Sequence, residues 1–289
     1  MKSEKNSSFI RGSEPEQSVL YVVGTPIGNL NDISLRAINI LSKVSFIACE
    51  DTRHTRKMLN ALKIKNKLLS FNEYNSKSKT NYIVKKLKEG MSIALVSDAG
   101  MPLISDPGEY LVNEARQQNI EVICSPGPCA AITALVTSGL SSSSFSFFGF
   151  LPKKKNERKK CLRDIAINMS TSIIYESPKR IKSLISDLRD YCEDSRIVHI
   201  SKELTKKYEG YWRGSLKEIY DEIVNTDPKG EFTVLIEKQT ISKNLSEVNK
   251  IELINDLSDL IKLGLKRSSA ASYLANKSGI SKNFIYNLK

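Results

Sequence analysis

The sequence is poor in the residue types that build metal clusters and disulfide frameworks. Its 289 residues contain only two histidines and an odd number of cysteines, five, with no Cys-x-x-Cys pair. Cysteines scattered in this way argue against a disulfide framework or a zinc cluster, and two histidines argue against a histidine-rich metal site. We therefore expect no metal.

Long apolar runs are also missing. A membrane-spanning helix needs about 20 consecutive apolar residues, whereas the densest apolar stretch, Phe145 to Leu151, is far shorter and contains Ser146 and Gly149. Residues 1–18 are polar and lack the apolar block of a signal peptide, so we interpret them as a disordered tail. These absences predict a cytoplasmic protein that does not bind membranes.

Acidic residues are fewer than basic ones. Asp and Glu number 32 against 44 Lys and Arg, which gives a net charge of +12. This excess favours a polyanionic partner such as nucleic acid, although a solvated basic surface has the same composition. Residues 153–160 hold six basic residues and one acidic residue, and no acidic residue follows Asp259. Two separate basic clusters favour a large anionic partner over a small acidic metabolite.

Strands and helices alternate along the first part of the chain. This alternation predicts right-handed crossovers and a parallel sheet over residues 19–127. Residues 128–240 predict a second α/β domain, whose sheet is mixed because strands at 197–201 and 209–213 follow each other without a helix. From residue 246 to residue 289 the pattern is helical only. The sequence therefore predicts an α/β protein of two domains with a small helical C-terminal appendix.

Four loops rich in glycine, proline and small polar residues follow predicted strands of the first domain. In an open parallel sheet, ligands bind beyond the carboxyl ends of the strands. One such loop is usually an ordinary turn, but four that converge on one sheet edge favour a binding site. The loops span residues 24–32, 49–55, 97–108 and 125–131.

The first loop does not fit a dinucleotide. Pro26 lies between Gly24 and Gly28, where the dinucleotide fingerprint requires G-x-G-x-x-G. Proline has no N–H to donate to a pyrophosphate, so the loop is better suited to a flat, uncharged or cationic ligand. In the third loop Asp98 enters an Ala-Gly turn, where its carboxylate suits a cationic amino-acid group or a ribose hydroxyl. Asp106 is open to the same interpretation or to simple turn capping.

Motifs in the same order across residues 20–237 carry a resemblance to a known family. Among them are GTPIGNLND, ACEDTRHT, LVSDAGMPLISDPG, SPGPCAA, YESPKRI and KGEFTVLIE. Together they resemble the tetrapyrrole methylase superfamily and, within it, the small-subunit ribosomal RNA methyltransferases. The resemblance implies two α/β domains with S-adenosylmethionine in the cleft between them. It also implies a homodimer that methylates the 2′ oxygen of a cytidine in the decoding region of 16S ribosomal RNA, as free RNA or in the small ribosomal subunit.

The resemblance also implies cofactor contacts, position by position. They are Pro26, Ser97, Asp98, Ala99, Met101, Cys129, Ala130 and Glu176. The sequence departs from the family at Cys129, where Ser or Thr is expected, at Met101, where Thr is expected, and at Lys179, where His is expected. These departures affect individual contacts and not the class of reaction.

A neutral ribose hydroxyl is a poor nucleophile, so the reaction needs a group that takes its proton. The candidates are Glu50, Asp51 and Glu73, with Arg53 or Lys179 stabilising the developing negative charge. Other roles remain open, because Glu50 and Asp51 can cap the helix that follows them and Arg53 can pair with them.

The basic clusters supply the candidates for RNA phosphate contacts. They are Lys153, Lys154, Lys155, Arg158, Lys159 and Lys160, followed by Arg267 and Lys277 in the helical region. The alternatives are a solvated helix face and a helical cap that does not touch RNA. Two other functions also remain open: a small-molecule methyltransferase of the same fold, and a non-catalytic RNA-binding assembly factor.

Overall fold

The computed structural model describes residues 14–239, 247–278, 280 and 282–288. The chain divides after Lys238 into two compact units, of which the first carries two β-sheets and the second is helical. Most of the predicted tail lies outside the described residues. Its last part is folded, because the Glu14 carboxylate forms an ion pair with Arg36 at 2.6 Å. The prediction of a loose tail therefore extended too far toward residue 18.

The first sheet is parallel throughout, as predicted. Its five strands lie in the order β3-β2-β4-β1-β5. They are β1 (Val19–Val23), β2 (Phe46–Cys49), β3 (Leu68–Ser70), β4 (Ile93–Val96) and β5 (Glu121–Ser125). Strands β1 and β4 are buried along their whole length because helices cover both faces of the sheet.

Four helices cover this sheet. They are α1 (Leu35–Lys43), α2 (Thr52–Ala61), α3 (Ser76–Lys88) and α4 (Glu109–Gln117). Side chains alternate along a strand, so the neighbours Leu20 and Tyr21 enter different cores. Tyr21 packs in the core that contains residues of α1 and α2, and Leu20 in the core that contains residues of α3 and α4. A short 3-10 helix at Leu30–Asp32, which was predicted to be loop, lies between β1 and α1.

The second sheet is mixed, as predicted. Its order is β6-β7-β10-β8-β9, with β6 parallel to β7 and the other neighbours antiparallel. The strands are β6 (Phe145–Phe150), β7 (Thr171–Glu176), β8 (Ile197–Lys202), β9 (Gly210–Ser215) and β10 (Phe232–Ile236). The consecutive strands β8 and β9, on which the prediction of a mixed sheet rested, pair with each other antiparallel.

The helices of the second sheet differ in what they cover. They are α5 (Ala130–Ser138), α6 (Lys155–Ala166), α7 (Ile181–Arg189) and α8 (Leu216–Val224). Residues of α6, α7 and α8 share one large core with one face of the sheet. Helix α5 packs on the other face, in a core that also contains Ile27 from the loop after β1. This smaller core therefore joins the two sheets.

The helical unit has a core of its own. Its helices are α9 (Glu247–Lys262), α10 (Arg267–Ser278) and α11 (Lys282–Tyr286), and Leu257, Leu274 and Ile285 are buried among them. Arg267 donates hydrogen bonds to the carbonyls of Tyr286 and Leu288, which ties α10 to the end of the chain. Among the described residues, no helix is long and apolar enough to cross a membrane.

Candidate active site

Three of the predicted loops are held together at the carboxyl edge of the first sheet. The Thr25 N–H donates to the Gly100 carbonyl at 2.9 Å, and the Gly100 N–H donates to the Thr25 carbonyl at 3.1 Å. Gly24 and Gly127 approach so closely that a Cβ on Gly127 would lie 2.8 Å from the Gly24 Cα. Because these positions carry no side chain, the loops after β1, β4 and β5 can meet backbone to backbone.

The joined loops form one wall of a cavity of about 350 Å³ between the two sheets. This volume falls within the range of small-molecule sites, about 300–1,000 Å³. The predicted cofactor residues that line it are Asp98, Ala99, Met101, Cys129, Ala130 and Glu176. The opposite wall comes from the second sheet, with Phe150, Tyr175 and the segment 230–233.

Two of the predicted cofactor residues lie outside this cavity. Ser97 is 3% exposed, and its hydroxyl donates to the carbonyls of Ala99 at 3.3 Å and Gly100 at 3.4 Å. Its side chain shapes the loop and hydrogen-bonds Asp106, which lines the cavity, but Ser97 itself does not line it. Pro26 lines an adjoining hollow of about 270 Å³, which shares Asp98 with the cavity.

The N-terminus of α5 is capped by the side chain of Tyr175, which lies on β7. Its hydroxyl accepts a hydrogen bond from the Ala131 N–H at 3.1 Å, and its ring packs edge-on against Phe147 and Phe150. Burial raises the pKa of Tyr175, so the hydroxyl stays protonated. Cys129, the N-cap residue, makes no side-chain capping bond. The Cys129 side chain lies beside the Tyr175 hydroxyl and lines the cavity.

Glu176 is held by a buried cluster of charges. Its side chain has no exposed surface, and its Oε1 accepts the Ser177 N–H at 2.8 Å. The other oxygen, Oε2, lies 3.3 Å from Arg180 Nη2 and 3.6 Å from Arg158 Nη1. Arg158 also pairs with Asp187 at 2.8 Å, and its side chain is only 12% exposed. The assignment of Arg158 to an RNA-facing surface is therefore corrected: its guanidinium is turned inward and engaged by carboxylates.

The lysines of the same basic cluster do lie at the surface. They are Lys153, Lys154, Lys155, Lys159 and Lys160. The first three stand at the N-terminal end of α6, where the helix dipole disfavours positive charge. One of them, Lys154, pairs with Glu157 at 3.2 Å across the exposed surface. In the helical unit Lys277 is also exposed, whereas Arg267 is engaged by main-chain carbonyls.

A second hollow, of about 570 Å³, adjoins the cavity at Ser105 and Asp106. We call it the acidic hollow because it is lined by the carboxylates of Glu50, Glu73, Asp106 and Glu109. Burial raises the pKa of Asp106 to about 6, and the nearby carboxylates of Glu50 and Asp98 add to this shift. Burial, with Asp98 as the main charged neighbour, also raises the pKa of Glu50. Two of the candidate bases, Glu50 and Glu73, thus lie beside the cavity.

Asp51 and Arg53 form a hydrogen-bonded ion pair. The Asp51 carboxylate caps α2 by accepting the Arg53 N–H at 2.8 Å, and it accepts from Arg53 Nη2 at 2.9 Å. These bonds lower the pKa of Asp51 to about 2, which makes it a weak base. Asp51 therefore fits the capping role and not that of a general base. Lys179, the other candidate for charge stabilisation, is exposed in the turn after β7.

The part of the wall that precedes β10 was not predicted from the sequence. Gly230 has a φ of +95°, and a Cβ there would lie 2.5 Å from the Glu203 side chain. The Glu203 carboxylate accepts the Glu231 N–H at 3.0 Å. The Lys206 ammonium pairs with the Glu203 carboxylate at 2.9 Å and with the Glu231 carboxylate at 3.0 Å. The glycine of the KGEF motif was the available signal for this turn.

Comparison with known proteins identifies the family of this chain. Residues 19–220 match the family model described as Tetrapyrrole (Corrin/Porphyrin) Methylases. A Halalkalibacterium halodurans protein named Ribosomal RNA small subunit methyltransferase I is 41% identical over 94% of this chain and 95% of its own length. A Vibrio cholerae protein of the same name is 44% identical over 93% of each chain. The chain belongs to the ribosomal RNA small subunit methyltransferase I family, within the tetrapyrrole methylases.

Solved structures share the fold of this family. Uroporphyrin-III-C-methyltransferase from Thermus thermophilus is similar with a TM-score of 0.55 and 16% identity, over 75% of this chain and 94% of that one. A diphthine synthase has a TM-score of 0.57 and 11% identity, over 76% and 89%. A Thermotoga maritima protein of the family, 45% identical, matches 75% of this chain with 97% of its own length. About a quarter of this chain therefore lies outside the match with that relative.

Proposed function

We propose that the chain transfers the methyl group of S-adenosylmethionine to the 2′ oxygen of a cytidine in the decoding region of 16S ribosomal RNA. The proposal is carried by the meeting of Pro26, Asp98 and Cys129 at one cleft. Asp98 lines the cavity together with Cys129, and it lines the adjoining hollow together with Pro26. The names of the relatives supply the class of substrate.

The residues of the cavity suit the cofactor. Ile27, Met101 and Phe150 offer apolar and aromatic surface for a flat base, and Asp98 and Asp106 offer carboxylates for cationic or hydroxyl groups. Bound S-adenosylmethionine supplies a methyl group that is activated by its positively charged sulfur. What remains for the protein is to hold the acceptor oxygen in line, exclude water and accept a proton.

Glu50 and Glu73 are the carboxylates best placed to take the proton of the ribose hydroxyl. Both line the acidic hollow, which meets the cavity at Asp106. The pKa of Glu50 is raised toward neutral pH, and a general base is most effective when its pKa lies near the pH at which the enzyme works. Lys179 is exposed and can approach the acceptor to stabilise its developing charge. Arg53 is 88% exposed but is paired with Asp51 at 2.9 Å, so it would have to leave that carboxylate to do the same.

The exposed lysines of α6 extend the proposal to the RNA backbone. Positive charge at a helix N-terminus opposes the helix dipole, so its placement there is better explained by an external anion. We assign phosphate contacts to Lys153, Lys154, Lys155, Lys159, Lys160 and Lys277. By family resemblance we further propose a homodimer that acts in the cytoplasm on the small ribosomal subunit or its RNA.

Calorimetry with S-adenosylmethionine and mapping of ribose methylation test the proposal. The wild-type protein should bind the cofactor, and Asp98→Ala should weaken binding at least tenfold, because the cavity wall loses a carboxylate. Asp164→Ala, which removes an exposed carboxylate on α6, serves as the control and should bind normally. RNA from cells that lack the protein should lose one cytidine 2′-O-methyl group. An unchanged methylation pattern would overturn the proposed reaction.

A further inference from the structure

The two hollows beside the cavity differ in charge: in the part of the chain that the structure describes, one holds acidic side chains without basic ones, whereas the other holds lysines as well as carboxylates. The described residues that line the acidic hollow include four carboxylates and no basic side chain. The other hollow, which we call the α2 hollow, is lined by Lys57 and Lys206, by the carboxylates of Asp98 and Glu231, and by His54, together with apolar residues. Helix α2 forms one side of it and has the sequence TRHTRKMLNA, without an acidic residue.

The positive charge of the α2 hollow comes mainly from α2 itself. Lys206 is compensated, because it contacts Glu203 at 2.9 Å and Glu231 at 3.0 Å. Lys57, by contrast, is exposed on α2 and lines the hollow, where the His54 side chain lies as well. Arg56, on the same helix, donates to a main-chain carbonyl at 2.8 Å, which leaves its charge uncompensated. The helix therefore presents a positive surface beside the cavity.

The α2 hollow adjoins the cavity. Ile27, Asp98, Ala99 and Glu231 line both. Helix α2 begins directly after β2, at the sheet edge where the joined loops meet. A nucleotide in this hollow would therefore lie next to the wall on which the methyl donor is proposed to bind.

An RNA strand brings a negative phosphate on each side of the acceptor ribose. Phosphates near the four carboxylates of the acidic hollow would be repelled, whereas phosphates near α2 would be attracted. We propose that the RNA strand reaches the cavity through the α2 hollow, where Lys57 and His54 contact the phosphates that flank the acceptor nucleotide. The acidic hollow then receives no phosphate and is left to the proton-accepting carboxylates. This inference rests on the proposed function.

Steady-state kinetics with a charge-matched set of variants test the entrance. The substrate is small ribosomal subunits from cells that lack the protein. Lys57→Gln should raise the KM for subunits at least fivefold while kcat and the Kd for S-adenosylmethionine change less than twofold. The salt dependence of RNA binding should become shallower by about 0.7 to 0.9 in the log–log slope, as expected for one lost phosphate contact.

Two control variants make the test specific. Lys85→Gln removes an exposed lysine from α3, which packs on the opposite face of the sheet, and should behave as wild type. Glu109→Gln removes an exposed carboxylate of the acidic hollow and should leave the KM unchanged, because no phosphate lies there. Lys57→Arg keeps the charge and should restore most of the affinity.

The outcomes separate this inference from the proposed function. Equal KM values for Lys57→Gln and Lys85→Gln would overturn the α2 entrance, even with normal methyl transfer. A lowered KM in Glu109→Gln, together with a wild-type KM in Lys57→Gln, would place the entrance at the acidic hollow. Failure of the wild-type protein to methylate the subunits would remove the proposed function itself.

Discussion

The two walls of the cavity are built in different ways. The wall from the first sheet consists of loops, which touch through glycines and paired main-chain groups, as at Thr25 and Gly100. The wall from the second sheet consists of strand side chains, which are fixed by ring contacts at Tyr175 and by buried charges at Glu176. One wall thus depends on the absence of side chains and the other on their exact pairing. The two should respond to different substitutions.

The largest effect is expected in the second wall, from Arg158→Gln. The substitution leaves Glu176, whose side chain has no exposed surface, with one cation fewer. Removing one partner of a buried ion pair costs about 3 kcal/mol of the free energy of unfolding. Chemical denaturation measures this, with Arg163→Gln, an exposed arginine of the same helix, as the control. A loss no larger than that of the control would show that the buried charges do not stabilise this wall.

A smaller effect is expected in the first wall, from Gly127→Ala. The new methyl group would lie 2.8 Å from the Gly24 Cα, so the two loops must separate. Overpacking of this kind costs about 1–3 kcal/mol, and the displaced loops should weaken cofactor binding about tenfold or more. Calorimetry and denaturation measure the two effects.

Gly210→Ala is the matched control for that substitution. A Cβ at Gly210 meets no atom within 4 Å, and this residue lies in β9, away from the joined loops. Equal cofactor affinity in the two alanine variants would contradict the idea that close glycine contacts shape the first wall.

The same difference explains what could be predicted from the sequence. The loops of the first wall carry local signals, since glycine and proline mark turns and short apolar runs mark the strands before them. Strands β1 and β10 and helix α8 accordingly have the predicted bounds. The contributions of Phe150 and of residues 230–233 depend on how β6, β7 and β10 pair. Pairing between distant segments leaves no such local signal.

Arg158 is an instructive case between these two. Within the run KKKNERKK, Arg158 is one basic residue among several. Its charge alone led to the prediction that it contacts RNA together with the neighbouring lysines. Leu162 and Ile165 follow it at the four- and seven-residue spacing of one helix face, and both are buried. Helical periodicity could therefore have predicted that Arg158 points inward while the lysines point outward. Its partner Glu176 could not have been predicted, because that contact joins α6 to β7.

The smallest effect is expected where the two walls meet the acidic hollow, at Asp106. Its pKa is about 6 in the folded protein, whereas the ordinary value for an aspartate carboxyl is 3.8. Between these values the folded state binds more protons than the unfolded state, so the free energy of unfolding should fall as the pH rises from about 4 to about 6. Asp106→Asn removes this titration and should be more stable than wild type at pH 7 by about 1 kcal/mol, because the site is partly solvated.

Urea denaturation across this pH range measures the effect, with Glu109→Gln as the control from the exposed rim of the hollow. The Asn variant should show a flatter pH dependence than wild type between pH 4 and pH 6, whereas the control should keep the wild-type slope. If the Asn variant keeps the wild-type slope as well, Asp106 is as well solvated when folded as when unfolded. The acidic hollow would then be a water-filled recess, and its carboxylates would repel phosphate only weakly.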